Sequence, residues 1–93
     1  MAQRRVTVGW PEGLHARPAA VLVRSATSLG VPATVGRPGD PKRVNAASML
    51  GVLSLGVEGG QEVVLASAAP DADAALDRLA RLVSEGLDAL PDA

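Results

Sequence analysis

The sequence predicts an α+β sandwich, with one antiparallel sheet covered on one face by helices. Three observations predict it. Short stretches alternate apolar and polar residues with period two, as half-exposed antiparallel strands do. Longer stretches between them carry apolar residues at helical spacing. Read in order, the segments run β-α-β-β-α-β-α, four strands and three helices within 93 residues. That length is one domain's worth, so residues 1–93 are expected to form a single domain.

Arg4-Arg5-Val6-Thr7-Val8 alternates, placing Arg4, Val6 and Val8 on one face of a first strand and Arg5 and Thr7 on the other. Proline and glycine mark Trp10-Pro11-Glu12-Gly13 as a loop. The aromatic Trp10 reads as its partly buried anchor. From Ala16 to Leu29 the pattern is helical. Ala19, Leu22, Val23 and Ala26 form its apolar stripe, Ala20, Arg24 and Thr27 a more exposed face, and Gly30 its C-terminal cap.

Val31–Val35 alternates again, and Pro32 makes it an edge strand or a strand start. Gly36–Pro41 is turn chemistry, and Lys42–Asn45 reads as the returning strand of a hairpin. Ser48–Leu55 suits a helix of about two turns, with Ser48 at its N-cap and Gly56, Gly59 and Gly60 ending it. Glu62–Ala66 is β-branched and reads as the fourth strand. Pro70-Asp71-Ala72-Asp73 opens the last helix, with Asp71 as cap and two acids near the positive end of the dipole. Ala72, Ala75, Leu76, Leu79, Val83, Leu87 and Leu90 make its buried stripe, and Asp77 is placed to pair with Arg81 across one outer turn. The tail at Pro91-Asp92-Ala93 is expected to fray.

Composition excludes several function classes. Phe and Tyr are absent and Trp10 is the only aromatic, so Val, Leu and Ala must build the core. Net charge is -1, and the bases are scattered with no aromatics between them, which argues against a nucleic-acid partner. The absence of cysteine rules out disulfides, thiolate zinc sites and thiol catalysis. A single histidine rules out a multi-histidine metal site within one chain. No cofactor motif stands out. No window approaches a membrane span and Met1–Val6 lacks a signal peptide's apolar run, so a cytoplasmic protein without membrane insertion is expected.

The one histidine stands in Gly13-Leu14-His15-Ala16-Arg17-Pro18-Ala19-Ala20, where a glycine-containing loop meets a helix start. His15 belongs at the N-cap or beside it, because Pro18 is tolerated only in the first turn. Free N–H groups at a helix start, together with the dipole, attract an anion. Arg17 adds a guanidinium suited to phosphate, and an imidazole is nucleophilic near neutral pH. Two readings follow. One is an exposed histidine at a cap with Arg17 as a solvated charge. The other is a reversible phosphohistidine held in an anion pocket. No acid is visible beside His15 in sequence to serve as its partner.

"GLHARPAA" resembles the active-site motif of the HPr family, the histidine-containing phosphocarriers of the bacterial phosphoenolpyruvate-dependent sugar phosphotransferase system. Val44–Gly56 resembles that family's regulatory-serine segment, and the resemblance covers essentially the whole chain. It implies an open-faced β-sandwich of four antiparallel strands and three helices. It implies that His15 accepts a phosphoryl group on Nδ1 from phosphorylated enzyme I and passes it to the IIA component of sugar permeases. Arg17 and the backbone N–H groups of Ala16 and Arg17 would steady that group. The chain would be a carrier without turnover of its own and without a cofactor, most simply a monomer.

The resemblance also makes Ser48 a candidate for regulatory phosphorylation by an HPr kinase/phosphorylase, which can create a docking form for a transcription regulator. Read plainly, Ser48 is a helix cap. Ala46-Ala47 precedes it where family members often carry a lysine. Met49, Leu50 and Leu53 would join Ala20, Arg24 and Thr27 in a docking face for enzyme I and IIA, as a small apolar patch on a transient interface suits. The alternative is a regulatory phosphorelay or binding protein of the same fold, not coupled to sugar transport. Family relatives that act only as regulators typically lack the histidine, and this chain keeps it.

Overall fold

The computed structural model describes residues 1–91. Seven elements follow in the expected order: β1 (Ala2–Thr7), α1 (Ala16–Leu29), β2 (Thr34–Gly36), β3 (Arg43–Asn45), α2 (Met49–Ser54), β4 (Glu62–Ser67) and α3 (Asp73–Glu85). The strands form one antiparallel sheet in the order β1-β4-β2-β3. Its register sets Arg4 opposite Leu65, Val6 opposite Val63, and Val35 opposite both Leu65 and Val44. Val35, Val63 and Leu65 are fully buried in the core beneath the helices. Successive strand residues point to opposite faces, so Val64 and Ala66 fall on the far side, across from Arg5 and Gln3.

Several boundaries differ from the sequence reading. β1 stops at Thr7; Val8 is buried beyond the ladder, with its N–H on Gln61 O at 2.8 Å. β2 starts at Thr34, two residues past Pro32, and takes in Gly36, and it lies inside the sheet between β4 and β3 rather than at an edge. The turn is correspondingly shorter, closed by Asp40 N–H on Arg37 O at 3.2 Å, and β3 begins at Arg43. α1 has the predicted ends, with Gly30 in the left-handed conformation as its cap. Its buried stripe is rotated, however: Val21 and Ser25 are buried and Val23 is half-buried.

The start of α3 corrects the sequence reading most clearly. Asp71 lies outside the helix with a positive φ of 58°, and Ala72 occupies the N-cap with no side-chain bond. Only Asp73 is an acid of the first turn. Asp77 does not pair with Arg81. It accepts from Arg4 Nε at 2.6 Å, beside Asp73, which takes Arg4 Nη2 at 3.0 Å. Arg81 turns instead to Glu85 at 3.0 Å. The two Arg4 pairs arise because α3 packs on β1, so the turn that looks outward in sequence faces the strand's arginine. Each hydrogen bond to a carboxylate raises the guanidinium pKa, Asp77 contributing more than Asp73 at Arg4.

Leu82, missing from the predicted stripe, is fully buried. α3 ends at Glu85, with Gly86 left-handed and Leu87 N–H reaching back to Leu82 O at 3.0 Å, a Schellman ending. Leu87 and Leu90 therefore pack on the core from beyond the helix. Pro91 is tied down, its carbonyl accepting from Arg78 Nε at 3.0 Å. The rest of the tail expected to fray, Asp92 and Ala93, lies outside the described residues.

Candidate functional site

The loop before α1 is held by its backbone. Gly9 N–H donates to Val83 O at 2.8 Å, Gly13 N–H to Trp10 O at 2.9 Å, and Leu14 N–H to Val57 O at 2.9 Å. Gly13 has a φ of 76°, and a Cβ there would strike the Val57 carbonyl, so the position admits only glycine. Leu14 is fully buried. Trp10 is buried more deeply than a partly buried anchor, at 5% exposure, and its indole N–H donates to Leu87 O at 3.1 Å. The loop is thus pinned by the end of α3 on one side and by residues 57–60 on the other.

This frame leaves the His15 ring accessible. His15 is the N-cap of α1, with extended backbone (φ -131°, ψ 158°), and its ring makes no capping bond. Its side chain is 38% exposed. Ala16 follows with a φ of 49°, a left-handed conformation that costs a non-glycine residue on the order of 1–3 kcal/mol. Pro18 is buried in the first turn. Among the described residues, neither Ala16 nor Arg17 donates its backbone N–H, and the first turn holds no acid. Arg17 is exposed and forms no ion pair among the described residues. A half-exposed imidazole, two free N–H groups and a free guanidinium therefore share one helix start, which suits an anion.

The sequence pointed to no acid near His15, and the fold supplies one. Glu58, from the loop between α2 and β4, brings Oε1 to 3.7 Å from His15 Nε2. No local signal could have found it, because it is adjacent only through the packing of two loops.

Ser48 caps α2 as its position predicts, its Oγ accepting Gly51 N–H at 3.1 Å. Val52 is the buried residue of this short helix. Met49 packs half-buried on the core, whereas Leu50 is 83% and Leu53 37% exposed. On α1, Arg24 and Thr27 are exposed and Ala20 is half-buried, and α1 packs against α2. The described residues contain no cluster of metal-binding side chains. None of the described helices is long and apolar enough to cross a membrane.

The PTS-HPr family, the PTS HPr component phosphorylation site, matches residues 2–85. The chain is similar to the phosphocarrier protein HPr of Streptomyces coelicolor, 63% identical over 92 residues, covering 99% of this chain and 98% of that protein. It is also similar to the phosphocarrier protein HPr of Haloferax volcanii, 43% identical over 82 residues, covering 88% and 92%. Among solved structures, HPr from Bacillus anthracis matches with a TM-score of 0.79 at 36% identity, covering 88% of this chain and 95% of that one.

Proposed function

This chain belongs to the HPr family, the phosphocarriers of the phosphotransferase system, and from that premise we propose that His15 bears the phosphoryl group. As a carrier it is phosphorylated and dephosphorylated rather than turning over a substrate. The donor is phosphorylated enzyme I and the acceptors are IIA components of sugar permeases. The observation that carries the reading is the open start of α1, where His15 makes no capping bond and the N–H groups of Ala16 and Arg17 are unspent.

The His15 Nδ1 lone pair attacks phosphorus, and the donor's bond to phosphorus breaks with its electrons left on the donor. Arg17 and the two N–H groups then meet the phosphoryl oxygens through charge-assisted bonds. Transfer to IIA reverses the step, the bonding pair returning to Nδ1. The exposed leucines Leu50 and Leu53, with Met49, Ala20, Arg24 and Thr27, form the docking face for both partners. The protein works in the cytoplasm as a monomer, with residues 1–93 as a single domain.

Intact-protein mass after incubation with enzyme I, Mg²⁺ and phosphoenolpyruvate tests this, with His15→Ala beside it. The wild type should gain one acid-labile phosphoryl group and the variant none. A phosphoryl group on His15→Ala would overturn the reading. With an HPr kinase and ATP in place of enzyme I, the same measurement tests Ser48, where a phosphate would add negative charge beside the docking face. No mass gain there would leave Ser48 as a cap alone.

A further inference from the structure

The backbone of Glu58 is held in place. Its N–H donates to Gln61 Oε1 at 2.8 Å, and the same oxygen accepts from Arg37 Nη1 at 3.3 Å. Arg37 also reaches Leu55 O and Gly56 O at 3.0 and 2.8 Å through Nη2. One guanidinium thus ties the end of α2 to the side chain that carries the Glu58 backbone. On the other side, Val57 O receives Leu14 N–H and Gly60 N–H reaches Val8 O at 2.9 Å. Gly59 lies against the Pro11 and Trp10 carbonyls so closely that a Cβ would come within 2.6 and 2.7 Å of them. The loop that carries Glu58 and the loop that carries His15 are therefore joined backbone to backbone.

We propose that Glu58 is a positioning residue for phosphoryl transfer, whose carboxylate keeps the His15 ring proton on Nε2 and leaves the Nδ1 lone pair free. This rests on the reading of His15 as phosphoryl acceptor. A neutral imidazole carries one proton on either of two nitrogens, and the partner of one nitrogen decides the state of the other. The carboxylate faces Nε2. At 3.7 Å the pair is in ion-pair range but longer than a hydrogen bond. Such contacts tighten in the reacting complex, and a Glu side chain exposed at 69% can turn to close the gap. As the Nδ1–phosphorus bond forms, the ring keeps its Nε2 proton and becomes positively charged. Glu58 offsets that charge, and it is relieved when the bonding pair returns to Nδ1 on transfer to the acceptor.

The test compares wild type, Glu58→Gln and Gln61→Ala. Gln preserves size and hydrogen bonding but removes the charge, and Gln61→Ala keeps the carboxylate while loosening its loop. Two quantities are read: ring ¹⁵N chemical shifts of His15, and the rate of phosphoryl acceptance from enzyme I at saturating and limiting concentrations. Glu58→Gln should shift the ring toward its Nδ1–H form. It should slow acceptance about two- to fivefold at saturation, the range of an exposed ion pair, with KM for enzyme I unchanged. Gln61→Ala should move both readouts the same way by less. A wild-type tautomer ratio in Glu58→Gln would overturn the proposal, as would an unchanged rate or an effect confined to KM. Those results leave His15 as acceptor untouched, whereas a phosphoryl group on His15→Ala removes the reading beneath the proposal.

Discussion

The helices α1 and α2 begin in opposite ways. α2 closes its own start with a side chain: Ser48 Oγ accepts Gly51 N–H, whereas the backbone bond from the cap carbonyl is made in both helices, at 2.9 Å from Val52 N–H to Ser48 O and at 3.5 Å from Ala19 N–H to His15 O. α1 leaves its start open: the capping residue His15 spends no side-chain atom on the helix, Ala16 is twisted to a positive φ, and Arg17 faces solvent unpaired among the described residues. An open start costs stability that a cap would restore, about 1 kcal/mol. The cost is tolerable because the loop in front is secured by its backbone. The difference separates a helix terminus that serves the fold from one kept available for an incoming anion.

The largest effect should come from dissociating the two roles at His15. His15→Ala, which should abolish phosphoryl acceptance, should leave stability within about 0.5 kcal/mol of wild type, because the ring makes no capping bond. Urea unfolding of both proteins reads this. A loss as large as a true cap's would mean that α1 is closed by His15 after all. Next is Arg17→Ala. A hydrogen bond to a charged group is worth about 1.5–3 kcal/mol, so acceptance from enzyme I should slow roughly ten- to a hundredfold. Stability should not change, since Arg17 forms no ion pair among the described residues.

Ser48→Ala should show the converse. It loses an observed capping bond, so unfolding free energy should fall by about 0.5–2 kcal/mol. Acceptance of the phosphoryl group should stay near wild type. A Ser48→Ala variant with normal stability and slowed transfer would erase the contrast between the two helix starts.

How much of this was legible depends on whether the signal was local. The ends of α1, the cap at Ser48 and the placing of His15 at a helix start follow from residues within a turn of one another. The β-α-β-β-α-β-α order follows from periodicity, which needs no long-range information. Most of the differences come from contacts between elements. Spacing along α3 pairs Asp77 with Arg81, but β1 lies against that helix and Arg4 takes Asp73 and Asp77. The stripe of α1 rotated for the same reason, because which face is buried is set by α2 and α3. Glu58 belongs to the same class, since its meeting with His15 depends on two loops whose contact no spacing encodes. Asp71 differs for a local reason, its positive φ placing it outside the helix. Ala16 had no signal at all, because nothing in "HAR" marks a left-handed alanine.

The smallest effect concerns charges engaged in the sheet, the counterpart of Arg17. On the far face, Arg5 Nη2 and Glu62 Oε1 lie 2.8 Å apart across β1 and β4. Hydrogen bonding to Arg5 first, and its charge second, lower the Glu62 pKa below the usual glutamate value. A carboxyl whose pKa falls on folding adds stability at pH values above its unfolded pKa, and that stability is lost as pH falls through the lowered folded value. Both groups are exposed, so the contribution is small. Glu62→Gln should therefore melt slightly below wild type at neutral pH, and the two melting temperatures should converge on acidification below the usual glutamate range. Phosphoryl acceptance should be equal in the two proteins at neutral pH. A gap that persists in acid would mean that Glu62 acts through packing. A change in acceptance would mean that this face communicates with the start of α1, and that the open helix end is not the self-contained site its geometry describes.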